Sequence, residues 1–283
     1  MIAGMILAEP LVSSWKARLA LEFECRNGKT VLARKTHDGP LVVQKALYPE
    51  GDAVCHAIVV HPPAGIAGGD ELELTVQADA GASALLTTPG AGKWYRSAGA
   101  WASQRIAFDV AAGATLEWLP QESIVFDGAL ADLGTEIELQ GDATYIGWEL
   151  LCLGRTGSGE SFSRGACRLA TRLRRDGRLL WLERGMIEGG GALLDAAAGL
   201  GGQPVCGTLL ASAPQIRADL VAACREPQPR SGKGAVTALP GVFVGRYLGG
   251  SGEAGRAWFA ALWRILRPAL NGREAQEPRI WRT

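Results

Sequence analysis

Between about residues 55 and 190 the chain alternates apolar and polar positions with period two. In ELELTVQ, Leu72, Leu74 and Val76 share one face, and Glu71, Glu73, Thr75 and Gln77 the other. RIAFDV sets Ile106, Phe108 and Val110 against Arg105, Ala107 and Asp109, and EIEL and RLATRLR continue the pattern. Successive strand residues point to opposite faces, so these segments are predicted to be half-buried β-strands. A short turn and a second, more uniformly apolar strand follow each one. The units are ELELTVQADAGASALLTTP, RIAFDVAAGATLEWLP, TEIELQGDATYIGWELL and RLATRLRRDGRLLWLERGM, with turn glycines at 81, 113, 141 and 177. They read as a loose internal repeat of β-hairpins, the last turning on Asp-Gly. The expected fold is mainly β: a two-layer stack of sheets built from repeated hairpins, with the second strands covered on both faces.

The pattern changes after about 190. EGGGALLDAAAGLGGQ reads as a loop or short helix, and CREPQPRSGKG as a turn-rich surface connection. GEAGRAWFAALWRILRPALNG places Ala257, Trp258, Ala261, Leu262 and Ile265 at helical spacing, with a stop near Pro268 and Gly272. EPRIWRT reads as extended. The chain is taken as one domain over 1–283, with residues 55–190 as a β core and 191–283 as a loop-rich part with a small C-terminal helical element packed on it.

Composition narrows the function. The 283 residues carry 29 Lys and Arg against 29 Asp and Glu, for a net charge of +0. Such a balance argues against nucleic acid as a partner, because binding it requires phosphate neutralisation. The one basic run, Arg168, Arg172, Arg174, Arg175 and Arg178, reads as a solvated strand face. The start, MIAGMILAEPLVSSW, is short and lacks a basic n-region, so neither a signal peptide nor a membrane span is expected, and a cytoplasmic location is. The six cysteines form no CxxC pair and are expected as reduced thiols. TTPGAGKWYRS fails the phosphate-loop pattern, since Trp94 follows Lys93 and no glycine stands at the required upstream place. No GxSxG or HExxH occurs. Without a nucleophile, base or cofactor motif, the chain reads as a binding or scaffold protein rather than an enzyme.

Two features ask for more. Glu117, Glu149 and Glu183 sit inside apolar runs near Trp118, Trp148 and Trp181. A buried carboxylate is costly unless it is paired or meets a cation. Each either pairs with a local arginine, such as Arg184 or Arg155, or helps to line an internal polar path. Counted from the turn glycines, all three fall on one face. The second feature is HPPAGIAGGD, residues 61–70. Pro62 and Pro63 hold the backbone extended and the glycines allow a sharp turn, so the stretch reads as an elbow between strands. Asp70 either caps that turn or has a further use.

HPPAGIAGGD, TTPGAGKWYRS, LEWLPQESIVFDGA, WELLCLGRTGSGESF, LLWLERG and the terminal PRIW together resemble the urease accessory protein UreD family, called UreH in some organisms. The resemblance runs from about Trp15 to Trp281. Ala64 and Ala67 stand where the family tends to have glycine and valine, Gly92 where it has Ser or Thr, and Trp94 where Phe is common. The resemblance implies a non-enzymatic partner in nickel insertion. Its expected partners are apo-urease on one side and UreF on the other, with the GTPase UreG reached through UreF. It implies a proposed internal tunnel for a transient nickel ion and no tightly bound cofactor. Asp70, Glu149 and Glu183 match acidic positions along that route, and scattered carboxylates suit an ion that must leave again.

His61 is either structural or a fourth contact. Lys93, Tyr95, Arg96 and Arg155 are expected at one edge of the stack, where they serve either the loops or a partner. Two rivals remain: a β-rich metal-dependent hydrolase using Asp70, His61 and a glutamate, and an adaptor with no metal role.

Overall fold

The computed structural model describes residues 14–282, so the reading of the first residues as lacking a signal peptide lies outside the described residues. The first strands in chain order are β1 (Lys16–Arg26), β2 (Lys29–Asp38), β3 (Val42–Leu47), β4 (Cys55–Val60), β5 (Glu71–Ala78) and β6 (Ser83–Thr87). Next come β7 (Gly92–Trp94), β8 (Ala102–Val110), β9 (Thr115–Trp118), β10 (Ser123–Val125), β11 (Leu130–Leu139) and β12 (Thr144–Leu153). After β13 (Ala166–Arg175) and β14 (Arg178–Glu188), a short helix α1 (Ala192–Asp195) leads to β15 (Val205–Ser212) and α2 (Ala218–Arg225). Strands β16 (Lys233–Leu239) and β17 (Val242–Gly249) and the long helix α3 (Gly252–Asn271) complete the set.

A seven-stranded sheet has the order β14-β13-β11-β8-β5-β1-β2, and a ten-stranded sheet holds β16-β17-β15-β12-β9-β6-β4-β3 with β10 and β7 attached. The two-layer stack is as the alternation predicts. Strands β5, β8 and β11 alternate buried and open positions, while β6, β9 and β12 are covered almost throughout. The strands extend beyond the expected 55–190 span, with β1–β3 and β15–β17 joining the same sheets.

The hairpins need correction. β5, β8, β11 and β13 pair in parallel in one sheet, and β4, β6, β9 and β12 pair in parallel in the other. In the first three units the chain therefore crosses from one sheet to the other, forming arches that stack as the coils of a β-solenoid. Their loops, 79–82, 111–114 and 140–143, stack in register: Gly113 N donates to Asp142 Oδ1, and the strands that follow start with Thr115 N donating to Ala82 O and Thr144 N to Ala114 O. Only the fourth unit is a hairpin, β13 with β14, closed by Asp176-Gly177. All four turn glycines adopt left-handed backbone, with φ of 75°, 74°, 52° and 72°, which a glycine accepts without steric cost.

One hydrophobic cluster fills the space between the sheets. A second lies between the ten-stranded sheet and the helices α2 and α3. Helix α3 buries Trp258, Phe259, Leu262, Trp263 and Leu266, each worth roughly 1.5–3 kcal/mol relative to exposure. The helical face differs from expectation, since Ala257 is exposed and Ala261 and Ile265 are only half-buried. Pro268 lies within the last turn rather than ending it, and Gly272 is the left-handed cap. The C-terminal Arg279–Arg282 forms a 3-10 turn, not an extended end. It sets Trp281 against Trp148 and Trp263, with its indole N–H donating to Thr87 Oγ1 at 2.8 Å. Among the described residues, no helix is long and apolar enough to cross a membrane.

Candidate functional site

Counting from the turn glycines places Glu117, Glu149 and Glu183 on one face; the structure divides them. Gly113 lies three residues after Val110, whereas Gly141 lies two after Leu139, although Val110 pairs with Leu139 and Thr115 with Thr144. The glycine shifts by one place inside loops of equal length, so the parity count fails. Glu149 and Glu183 project between the sheets, and Glu117 projects toward α3.

Between the sheets lies a cavity of about 320 Å³. Glu149 (β12) and Glu183 (β14) both line it, with Thr135, Thr171, Thr208, Cys206 and Arg246. Glu149 accepts hydrogen bonds from the Thr135 hydroxyl and, at 3.4 Å, from the Thr171 hydroxyl. No cation pairs with it among the described residues. Burial raises its pKa above the ordinary carboxylate value; the nearby Glu183 adds to the rise, and the threonine hydroxyls partly offset it. Glu183 is bonded to Arg246 Nη1 at 2.5 Å, and that nitrogen also donates to Thr208 Oγ1 at 2.9 Å. The arginine partner is thus Arg246, from β17, rather than Arg184 or Arg155. Cys206 has its pKa pushed up to about 11 by burial, which keeps it a neutral thiol.

Asp70 does not line this cavity. It is 1% exposed, and both oxygens accept from backbone: Oδ1 from Trp15 N and Oδ2 from Ala67 N, each at 2.7 Å. It caps the elbow, the first of its two readings. His61 stands at the start of the same elbow, outside the cavity. Among the described residues its buried Nε2 has no partner, and burial lowers its pKa while the Asp70 charge partly opposes this.

Tyr95, Arg96 and Arg155 lie around Phe126 and Asp127, in the loops that follow β7 and β12. Tyr95 meets Phe126 edge-on at 5.1 Å, and the Arg155 guanidinium lies 4.7 Å from the centre of the same ring. Tyr95 also covers Gly65, where a Cβ would stand 2.0 Å from its ring. Arg155 binds Glu160 at 3.0 Å, which raises the pKa of the one and lowers that of the other. Arg96 approaches Asp127 at 3.8 Å. Lys93 contributes its backbone carbonyl to Ile66 N at 2.7 Å.

One cluster escaped the sequence reading, and a second gives Glu117 the arginine pair that was one of its two readings, but with the distant Arg267 rather than a local arginine. Asp127 Oδ1 accepts from the Ser163 and Arg164 backbone N–H groups and from the Ser163 hydroxyl, while Oδ2 accepts from the Arg164 guanidinium. The Arg164 bonds hold its carboxyl well below the usual range, and the Ser163 bonds add to this against a desolvation penalty. The other cluster joins Glu117, Arg267, Glu50 and His56 beneath α3. Arg267 is 0% and Glu117 1% exposed. Arg267 reaches Glu50 at 2.6 and 2.8 Å, Trp263 Nε1 donates to Glu117 at 2.5 Å, and His56 Nε2 lies 2.5 Å from Glu50. Arg267 falls four residues after Trp263, which was the available signal that it shares the buried face.

Among the described residues, no three or more His, Cys, Asp or Glu side chains group so as to hold a metal ion. The cavity offers one uncompensated carboxylate and one arginine-bound carboxylate, a weak polar environment rather than a closed ligand cage.

The family model of the UreD urease accessory protein matches residues 16–282. The chain belongs to the UreD family. A UreD urease accessory protein of Azoarcus sp. (strain BH72) is 61% identical over 271 residues, covering 95% of this chain and 94% of its own length. One of Dechloromonas aromatica (strain RCB) is 55% identical over 274 residues, covering 95% of each chain. One of Methylobacillus flagellatus is 48% identical over 270 residues, again covering 95% of each. Membership of the UreD family supports a role in urease maturation, and these relatives are named as accessory proteins, not enzymes.

Proposed function

We propose that this chain acts in the cytoplasm as a scaffold that bridges apo-urease to UreF and, through UreF, to UreG, and that a nickel ion in transit passes through the cavity between its sheets. The observation that carries the nickel part is Glu149, a half-buried carboxylate lining the cavity with no cation beside it among the described residues. An uncompensated buried carboxylate is unfavourable for folding and favourable for a passing cation. Glu183 is a second contact, available when Arg246 releases it. Asp70 serves the route by fixing the elbow rather than by meeting the ion, and His61 stands with it. The hydrolase reading would need three tightly held ligands in one place.

Urease activity in nickel-supplied cells with a cognate operon tests this. Deleting the gene is expected to abolish activity, and restoring it to recover activity. Glu149→Gln keeps the size and removes the charge. It is expected to lower activity while the chain still co-purifies with urease and UreF. Full activity with Glu149→Gln would leave the adaptor reading in place.

A further inference from the structure

Strand β14 ends the seven-stranded sheet and, among the described residues, pairs with β13 alone. As the second strand of its unit it was expected to be covered on both faces, yet Leu179, Leu182 and Met186 are 47%, 42% and 46% exposed. The cause is the hairpin: β14 stays in the outer sheet instead of crossing to the inner one. Register sets Leu179 beside Arg174, Leu182 beside Arg172, Arg184 beside Ala170 and Met186 beside Arg168. Arg172 is held by Glu136 at 2.7 Å, and Arg168 stacks 3.9 Å from Trp101. Arg174 and Arg184 have no carboxylate partner among the described residues.

A long open edge presents unpaired backbone donors and acceptors, and natural edges are usually blunted by charge, proline or a cover. This one instead carries leucine and methionine between arginines. We propose that β14 is a docking edge for an extended acidic segment of another polypeptide, added to the sheet as one more strand. Its apolar side chains would lie beside Leu182 and Met186, and a carboxylate beside Arg184. Charge selects this occupant. A basic segment would set a cation beside Arg184, as would a second copy paired antiparallel about Arg184, and like charges on facing strands repel. A helix would leave the edge backbone unpaired. The proposal does not depend on nickel passage.

A short fluorescent peptide repeating valine-threonine-glutamate-threonine, so that valine and glutamate take turns along one face, offered to the full chain at low salt, tests the edge. Binding is expected, with slowed amide exchange in β14 and loss on raising salt. Arg184→Glu, an exposed change that leaves the core intact, is expected to weaken it about tenfold or more. Met186→Ser provides a second, uncharged variant and is expected to weaken it also. The proposal is overturned by no binding at up to about 1 mM peptide. Equal binding of the same peptide with lysine for each glutamate, or of one with a central proline, overturns it too. So does unchanged affinity in both variants, or a dimer in sedimentation that closes the edge.

Discussion

Arg267 Nε stands 2.9 Å from Glu117 Oε1, joining residues 150 positions apart in a site from which water is excluded. The pair ties α3 to β9, and Glu50 extends the tie to the loop before β4. Burial drives the Glu117 pKa up, with Arg267 and the Trp263 indole opposing it. For Glu50, burial pushes the same way, but bonds from His56 and Arg267 win and hold it below the ordinary value. Arg267→Ala would strand two carboxylates and is expected to cost about 3–5 kcal/mol of stability. Urea denaturation should also show that Arg267→Ala with Glu117→Gln loses less than the sum of the single changes, because the two side chains share one interaction.

Ala64 sits in the elbow at φ 61°, a left-handed conformation that a Cβ disfavours. Ala64→Gly is therefore expected to stabilise the protein by about 1 kcal/mol, seen as a higher denaturation midpoint. The neighbouring Gly65 behaves oppositely, since Gly65→Ala would drive a Cβ into Tyr95. It should lower the midpoint and free the Tyr95 ring from Phe126.

Asp70 tests whether an acid in a motif works by charge or by geometry. Both of its oxygens accept backbone N–H bonds, and an asparagine can supply only one acceptor there. Asp70→Asn should thus turn an N–H group of the side chain toward a backbone N–H, at a cost of about 1–3 kcal/mol. If the residue acts only through the elbow, the loss of urease activation should track the loss of folded protein, measured by soluble yield and thermal melting. A fully stable but inactive Asp70→Asn would show a direct role instead.

The strands and turn glycines were legible because alternation and left-handed backbone are local. The choice between arch and hairpin was not, since both begin with the same alternating strand and a glycine turn. The physical difference is loop length: Asp79–Ala82 leaves room to cross to the other sheet, whereas Asp176-Gly177 folds the chain directly back. That one distinction moved Glu183 into the outer sheet and exposed Leu182. A one-place shift of Gly141 turned Glu149 away from the face of Glu117. The interior position of Glu149 could be guessed from its apolar neighbours. Its threonine partners, which come from β11 and β13, could not, because they are set by the parallel register of the other sheet.

Glu149 also gives a pH dependence. Its pKa is raised in the folded protein. Above the ordinary carboxylate pKa, an unfolded chain has lost this proton while the folded one still holds it. The folded state then binds more protons, so stability contributed at this site falls as pH rises from the ordinary carboxylate value toward the raised one. Glu149→Gln carries no such proton. It is expected to match the parent at a pH below the ordinary carboxylate range and to be the more stable protein near neutrality, in paired urea titrations across pH. Cation transit needs the ionised form, so urease activation in a reconstituted mixture should decline on acidification at a pH above the usual carboxylate range. A Glu149→Gln protein whose stability follows the parent at every pH would show that this carboxyl is already ionised without cost, and the cavity would then hold no stored preference for a cation.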